Sequence, residues 1–493
     1  MATLSPRQWF WFALVATLAF RFWLAAALPL TGDEAYFVLW GRRPDLGFYD
    51  HPPMVGWWLA PLLAVSQAEW FVRLPSIVLP GALALLARHA LAAWFGRDAE
   101  TADLAALAVL LVPMNVWNVL ISTDTPLVFF SVASMLAFAR QRFFLAGVLL
   151  GLAFLSKYFA VLLGLAYLVW ALAARRPAAF GLAFLGALPA GLLNLYWNWQ
   201  ACWCNVMFNA INRHDDAGFS WGTIALYAAS LAYLAAPLLW YAWKNRGPLR
   251  AALARPEVGV LLAAWLVPLA VFALLSPVKR IGLHWLLAFV PALVLMLALA
   301  LERRVLVVTL RWFAPLAVLH AVLFAALLLP PLETWKENSR YQRIVLLADP
   351  QAVLQPLGPL LARYRLTTEG YSVAAQLGFH TRRRVPVFGA GSSYARQDDI
   401  NTDWRRHQGG DLLIFRREPP DLDLYRPYFR EVEAREVTAR GTTHYAVLGR
   451  GFNYAAYRER VLAVVRDRWY RIPAWLPVGK CYFFERYGFE RPQ

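Results

Sequence analysis

Apolar runs near the ~20 residues that a helix needs to cross roughly 30 Å of hydrocarbon constrain this chain more than any other feature. They include Trp9–Leu30, Thr101–Pro113, Ala146–Leu155 with Phe159–Ala174, Gly181–Leu195 and Gly282–Leu301. Inside lipid every backbone polar group must find a partner within the protein, so serial runs of this kind imply a bundle of helices. Composition agrees, since 60% of residues are hydrophobic and 16% charged, against about a quarter charged in soluble domains. A soluble globule is excluded.

The net charge of +17, from 48 basic and 31 acidic residues, would in a soluble protein point to nucleic acid. Its distribution removes that partner. Arg97, the pair Arg140 and Arg142, the pair Arg175 and Arg176, the group Lys244, Arg246, Arg250 and Arg255, and the pair Arg303 and Arg304 fall in alternate short loops. That is the bias of cytoplasmic loops. The N-terminal MATLSPRQ leads into an apolar stretch without a cleavage site, so an uncleaved first span with a cytoplasmic N-terminus is expected.

Apolar length and loop charge together predict about eleven spans, near residues 9–30, 69–92, 101–116, 119–139, 143–155, 158–174, 178–198, 222–243, 257–276, 283–301 and 305–330. The odd number places the tail outside. A membrane module is expected over 1–331, its first outer loop (31–68) carrying interfacial helices, and a soluble extracytoplasmic α/β domain over 332–493. In that domain RIVLLAD (Arg343–Asp349), VPVFG (Val385–Gly389), DLLIF (Asp411–Phe415) and THYAVLG (Thr443–Gly449) read as strands, and Gln351–Tyr364 as a helix. No glycine-rich phosphate loop accompanies them. Cys202, Cys204 and Cys481 lack metal spacing, and Cys202-Trp203-Cys204 is too tight for an ordinary disulfide loop, so all three are expected to be bystanders, with a bridge to Cys481 as the minor alternative.

Polar residues that this topology leaves on the outer side carry most of the functional information, because such groups at membrane depth are costly. The first loop supplies Asp33, Glu34, Arg42, Arg43, Asp45, Asp50 and His51; later outer ends supply Asp124, Lys157, Arg213, His214, Asp215, Asp216, Lys279, Arg280 and His284. Acids come mostly from one loop and bases from the others. That division suits a carboxylate deprotonating an acceptor hydroxyl while cations hold a phosphate leaving group. Taken singly, Asp33 has the plainer account of a helix cap, His51 of a satisfied interfacial histidine and Lys157 of a snorkelling lysine. Arg21, inside the first span, needs a partner, either in a structural ion pair or on a lipid-linked phosphate.

GDEAYF (Gly32–Phe37) followed by GFYDHPP (Gly47–Pro53) resembles the first-loop signature of GT-C glycosyltransferases related to protein O-mannosyltransferases and to the bacterial aminoarabinose transferase acting on lipid A. VRLPS (Val72–Ser76), STDTPLVFF (Ser122–Phe130), LAFLSKYFAVLL (Leu152–Leu163) and KRIGLHWLLAFVPA (Lys279–Ala292) are similar, in order, to that family's later motifs. The resemblance implies an inverting membrane glycosyltransferase in the bacterial inner membrane, with its tail in the periplasm. Its donor would be a polyprenyl-phosphate sugar, and its acceptor lipid A, another glycan or a protein hydroxyl. It implies Asp33 as base or hydroxyl-orienting group, Glu34 in support, and Asp50 as a second acid that steers the acceptor or ligates a metal. Lys157, Lys279, Arg280 and His284 would contact the donor phosphate, and His51, Tyr36, Arg73 and Asp124 would position donor or acceptor. No cofactor is required, although relatives allow a divalent cation, for which Asp50 and His51 are candidate ligands; two adjacent residues make no complete site. His51 departs from the lysine of the aminoarabinose transferases. A transporter or flippase for a lipid-linked or anionic substrate is the alternative from another class, disfavoured by the absence of a repeat between halves and by polar groups gathered at one face.

Overall fold

A computed structural model describes residues 4–212 and 218–490; the expected outer residues Arg213, His214, Asp215 and Asp216 lie outside them. Helix formation begins where the sequence offers a cap. Ser5 accepts from the backbone of Gln8 at the head of α1 (Pro6–Ala27), and Thr31 accepts from Glu34 at the head of α2 (Gly32–Arg42), each completing a capping box. The chain continues through α3 (Met54–Val65), α4 (Leu74–His89), α5 (Ala99–Leu110), α6 (Asp124–Ala139), α7 (Phe143–Phe154), α8 (Ala160–Ala173), α9 (Pro177–Gln200), α10 (Trp221–Lys244), α11 (Pro256–Leu275), α12 (Val290–Ala300) and α13 (Arg304–Leu328).

Six of these are long and apolar enough to cross a bilayer unaided: α1, α4 with its continuation to Trp94, α9, α10, α11 and α13. The other five expected spans coincide with α5, α6, α7, α8 and α12, which have 11 to 16 residues. At 1.5 Å per residue such helices fall short of roughly 30 Å of hydrocarbon. Within a bundle, short helices of this kind leave room for loop and side-chain polar groups to line a cavity. Large apolar side chains such as Phe12, Leu185, Leu266 and Val322 stay exposed on the outside of the bundle, as a lipid-facing surface requires. The chain is a multi-pass membrane protein. Helices α7 and α9 touch at Gly147 and Gly186, where a Cβ would strike the backbone of the facing helix; small residues permit such approach.

Arg21 is buried and its guanidinium meets backbone carbonyls, not a carboxylate. It donates to Ile77 O at 2.9 Å and Asn118 O at 2.7 Å, and also to Ser76 O and Asn115 O. The reason is local: Pro80 has no N–H to offer Ser76 O, and the chain around Asn115–Asn118 leaves helix geometry, so several carbonyls need donors. Among the described residues its partners are these carbonyls and not the expected ion pair.

Beyond α13 the chain forms α14 (Tyr341–Ala348), β1 (Arg365–Thr368), α15 (Tyr371–Thr381), β2 (Leu412–Arg416), β3 (Glu431–Ala439) and β4 (Thr442–Arg450). The sheet order is β1-β2-β4-β3, with β1 parallel to β2 and the other pairs antiparallel. RIVLLAD is therefore helix and not strand: Tyr341, Val345 and Leu346 are its buried positions, at helical spacing. VPVFG contributes a single bridge, Thr368 to Val387, because Pro386 lacks the N–H that a ladder would use. DLLIF and THYAVLG are β2 and β4. A disulfide joins Cys202, just past α9, to Cys481 in the tail, leaving Cys204 free and buried. The expectation of three bystanders fails because their 279-residue separation hides the proximity that folding creates.

Candidate active site

The short helices and the first loop surround a cavity of about 570 Å³, whose wall includes Asp33, Glu34, Tyr36, Asp50, His51, Asp124, Lys157 and His284. Side chains from segments far apart in the chain thus meet in one place. Arg73, Lys279 and Arg280 are not in that wall. The tail adds Tyr371 and Tyr394, and Asn209 and Tyr158 complete part of the polar lining.

The adjacent acids Asp33 and Glu34 occupy opposite situations because successive helix residues point about 100° apart. Glu34 turns inward and is almost wholly buried. Arg73 donates to both its oxygens, at 2.7 and 2.8 Å, and Thr31 and Ile121 backbone N–H groups donate at 3.0 Å. Arg73 also holds the carbonyls of Ala25, Leu28 and Pro29, so it ties the end of α1 to the start of α2. Both oxygens of Glu34 are spoken for, and Arg73 sits behind it.

Asp33 instead faces the cavity and is solvent-exposed, its Oδ1 accepting from Tyr371 OH at 2.8 Å. Burial, followed by the neighbouring Asp33 carboxylate, raises the Tyr371 phenol well above its ordinary range, so it remains a donor. Gly32 allows this approach, since a Cβ there would collide with Ser372. Tyr371 opens α15 just past the carboxyl end of β1, where parallel βα units place ligand-binding groups. A pattern search missed it because β1, RLTT, is too short and polar to register.

Asp50 and His51 sit in a turn fixed by both parts of the molecule. Asn205 Nδ2 donates to Tyr49 O at 3.0 Å, Gln397 of the tail accepts from Tyr49 N at 2.7 Å, and Phe48 N donates to His51 O. Asp50 Oδ2 lies 3.1 Å from His51 Nδ1, while its buried Oδ1 has no hydrogen-bond partner among the described residues. An unpartnered carboxylate oxygen at a cavity wall is an acceptor in waiting. Among the described residues no group of three or more His, Cys, Asp or Glu side chains is arranged to hold a metal ion; Asp50 and His51 stand without a third ligand.

Lys157 and His284 converge on Asp124. The ammonium donates to both Asp124 oxygens, at 2.8 and 2.9 Å, and His284 Nε2 lies 3.7 Å from Oδ2. Lys157 occupies the break between α7 and α8 and Asp124 the first turn of α6, so two helix ends deliver the pair. A lysine has three N–H donors; two are used on Asp124 among the described residues, and Lys157 lines the cavity.

The model of the family described as dolichyl-phosphate-mannose-protein mannosyltransferase matches residues 50–199. The chain is 32% identical over 219 residues to a lipid A galacturonosyltransferase, RgtD, of Rhizobium johnstonii; the match covers 40% of this chain and 44% of that protein, less than half its length. Over most of the chain the fold is similar to that of ArnT from Cupriavidus metallidurans. The TM-score is 0.60 at 16% identity against both the apo structure and the one bound to undecaprenyl phosphate, covering 89% of this chain and 97% and 98% of those. The GT-C architecture expected from the loop motifs is thus the observed one.

Proposed function

We propose that this protein is an inverting GT-C glycosyltransferase that moves a sugar from a polyprenyl-phosphate donor to lipid A or a related envelope glycolipid. The observation that carries the reading is the gathering of an exposed acid, Asp33, and a lysine-histidine pair, Lys157 and His284, in one cavity at the ends of short spans. The mannosyltransferase family model, the lipid A galacturonosyltransferase relative and the ArnT-like fold support the same chemistry.

In this reading Asp33 accepts the proton of the acceptor hydroxyl as its oxygen attacks the anomeric carbon. The bond from that carbon to the phosphate oxygen breaks on the opposite side, and polyprenyl phosphate leaves with the electron pair. Lys157, oriented by Asp124, and His284 stabilise the developing charge on the phosphate. Tyr371 aims the Asp33 carboxylate, and the open Oδ1 of Asp50 holds a second acceptor hydroxyl, with His51 and Tyr36 shaping that side. Glu34 and Arg73 build the floor beneath Asp33.

Orientation follows the basic loops, which place α1 with its N-terminus in the cytoplasm, and the Cys202–Cys481 bridge supports an oxidising, periplasmic side for the tail. The protein would then be a bacterial inner-membrane enzyme, with a membrane module over 1–331 and a periplasmic domain over 332–493 closing its cavity. Mass spectrometry of envelope glycolipids from cells with and without the gene tests the activity, with Asp33→Asn as the decisive variant. One sugar is expected to disappear with the gene and to stay absent with Asp33→Asn, by at least about a hundredfold for loss of a general base. Normal modification by Asp33→Asn would remove Asp33 from the mechanism.

A further inference from the structure

Beside the cavity, and sharing Tyr36 and Tyr371 with it, lies a smaller cleft of about 200 Å³. Its wall carries five guanidinium groups, Arg42 and Arg43 from the end of α2 and Arg382, Arg383 and Arg384 from the segment after α15, against one carboxylate, Asp398. Membrane and tail parts thus contribute like charges to the same space. Such an arrangement is repulsive unless an anion lies between them.

Two of the five are committed. Arg42 donates to Gly378 O at 3.3 Å and Gln67 Oε1 at 3.1 Å, and Arg384 donates to Thr402 and lies 3.5 Å from Asp398. The side chains of Arg43, Arg382 and Arg383 make no hydrogen bond or ion pair among the described residues. Burial and neighbouring arginines hold both Arg42 and Arg384 below the usual guanidinium range, Arg382 acting on Arg42 and Arg43 on Arg384. Arg382 also adopts φ +52° at the end of α15, a left-handed position where glycine is the unstrained choice. The chain places an arginine there despite that strain and points it at an already cationic cleft.

We propose that this arginine cleft binds a phosphate group of the acceptor glycolipid and thereby sets which acceptor hydroxyl reaches Asp33. The inference rests on the proposed glycosyl transfer to an envelope glycolipid. Guanidinium forks match phosphate oxygens two at a time, and an excess of four positive charges suits a dianionic phosphate better than a single carboxylate. Tyr371 connects the cleft to the reacting centre: it lines both spaces and its hydroxyl is bonded to Asp33.

The test uses the full-length protein in zwitterionic nanodiscs, with bisphosphorylated lipid A and its enzymatically dephosphorylated form as probes and phosphatidylglycerol as competitor. The wild-type protein should bind the phosphorylated probe at least tenfold more tightly, with phosphatidylglycerol competing poorly. Arg382→Gly, which relieves the backbone strain, and Arg43→Gln with Arg383→Gln should each cut that preference by roughly tenfold. Their unfolding temperatures and polyprenyl-phosphate binding should stay at the wild-type level. Equal affinity for the two probes, or variants that keep the preference, would overturn the proposal, and strong competition by phosphatidylglycerol would reassign the cleft to membrane headgroups. Sugar transfer is followed in the same preparation: phosphate-selective binding without transfer to any lipid strikes the proposed activity, whereas transfer without selectivity strikes the cleft.

Discussion

Asp33 and Glu34 are neighbours on one helix, yet Glu34 is locked to Arg73 while Asp33 meets the Tyr371 hydroxyl at the cavity. Both acids stand out in GDEAYF, and the pattern cannot separate their roles, because each suits a carboxylate at the head of an interfacial helix. The separation comes from Arg73, 39 positions from Glu34, whose guanidinium consumes both Glu34 oxygens and leaves Asp33 to the cavity. Removing one partner of a buried pair leaves an uncompensated charge, at a cost of about 3–5 kcal/mol. Glu34→Gln should therefore lower the unfolding temperature of the detergent-solubilised protein and reduce its yield, while Asp33→Asn, at an exposed position, should unfold like wild type. A Glu34→Gln protein that is fully stable yet inactive would give Glu34 the chemical role instead. Tyr371 escaped the sequence reading for a related reason, since it lies 338 positions from the carboxylate it contacts.

Among the elements, the six long spans were legible because lipid imposes one rule, apolar length, on them. Every expected span has a helix beneath it, and only the ends moved, as for 283–301, where the helix proper begins at Val290. The sheet was less legible. β2 and β4 are apolar and were found, whereas β3, EVEAREVTA, is an edge strand with an exposed face and carries little hydrophobic signal. The central strand β4 also holds His444, fully buried, stacked on Phe415 and within 3.2 Å of Thr442 Oγ1. Burial, with Arg417 adding to it, pulls its ring down to about 4, while the unfolded chain titrates near 6.5. As pH falls below about 6.5 the unfolded chain takes up the proton first, so stability is full above that pH and declines towards pH 4, by about 1–3 kcal/mol. His407, also lowered to about 4, acts in the same direction; Asp399, pushed up to about 6 by burial, opposes both. His444→Phe should thus shrink the loss of unfolding temperature between pH 7.5 and pH 5, and an unchanged loss would show that β4 does not sense acid.

At the scale of the whole molecule, the cavity exists only where the helical bundle and the tail meet: Tyr371 and Tyr394 line it, and Gln397 fixes the Asp50–His51 turn from the tail side. Covalent reinforcement falls at the same junction, because the Cys202–Cys481 bridge sits beside Asn205, the residue that holds the other face of that turn. Closing a loop of 279 residues removes chain entropy worth on the order of 5 kcal/mol from the unfolded state. Reduction should then loosen the tail against the bundle before it melts any span, because helices in lipid keep their internal hydrogen bonds regardless. Hydrogen exchange of the Cys202→Ser, Cys481→Ser protein is expected to show increased opening at residues 47–53, in α15 and at 469–487, with unchanged protection in α11 and α12, and glycosyl transfer should fall along with it. Opening spread evenly over the bundle, or confined to the tail with the 47–53 turn still protected, would mean that the bridge does not hold the active-site turn in place.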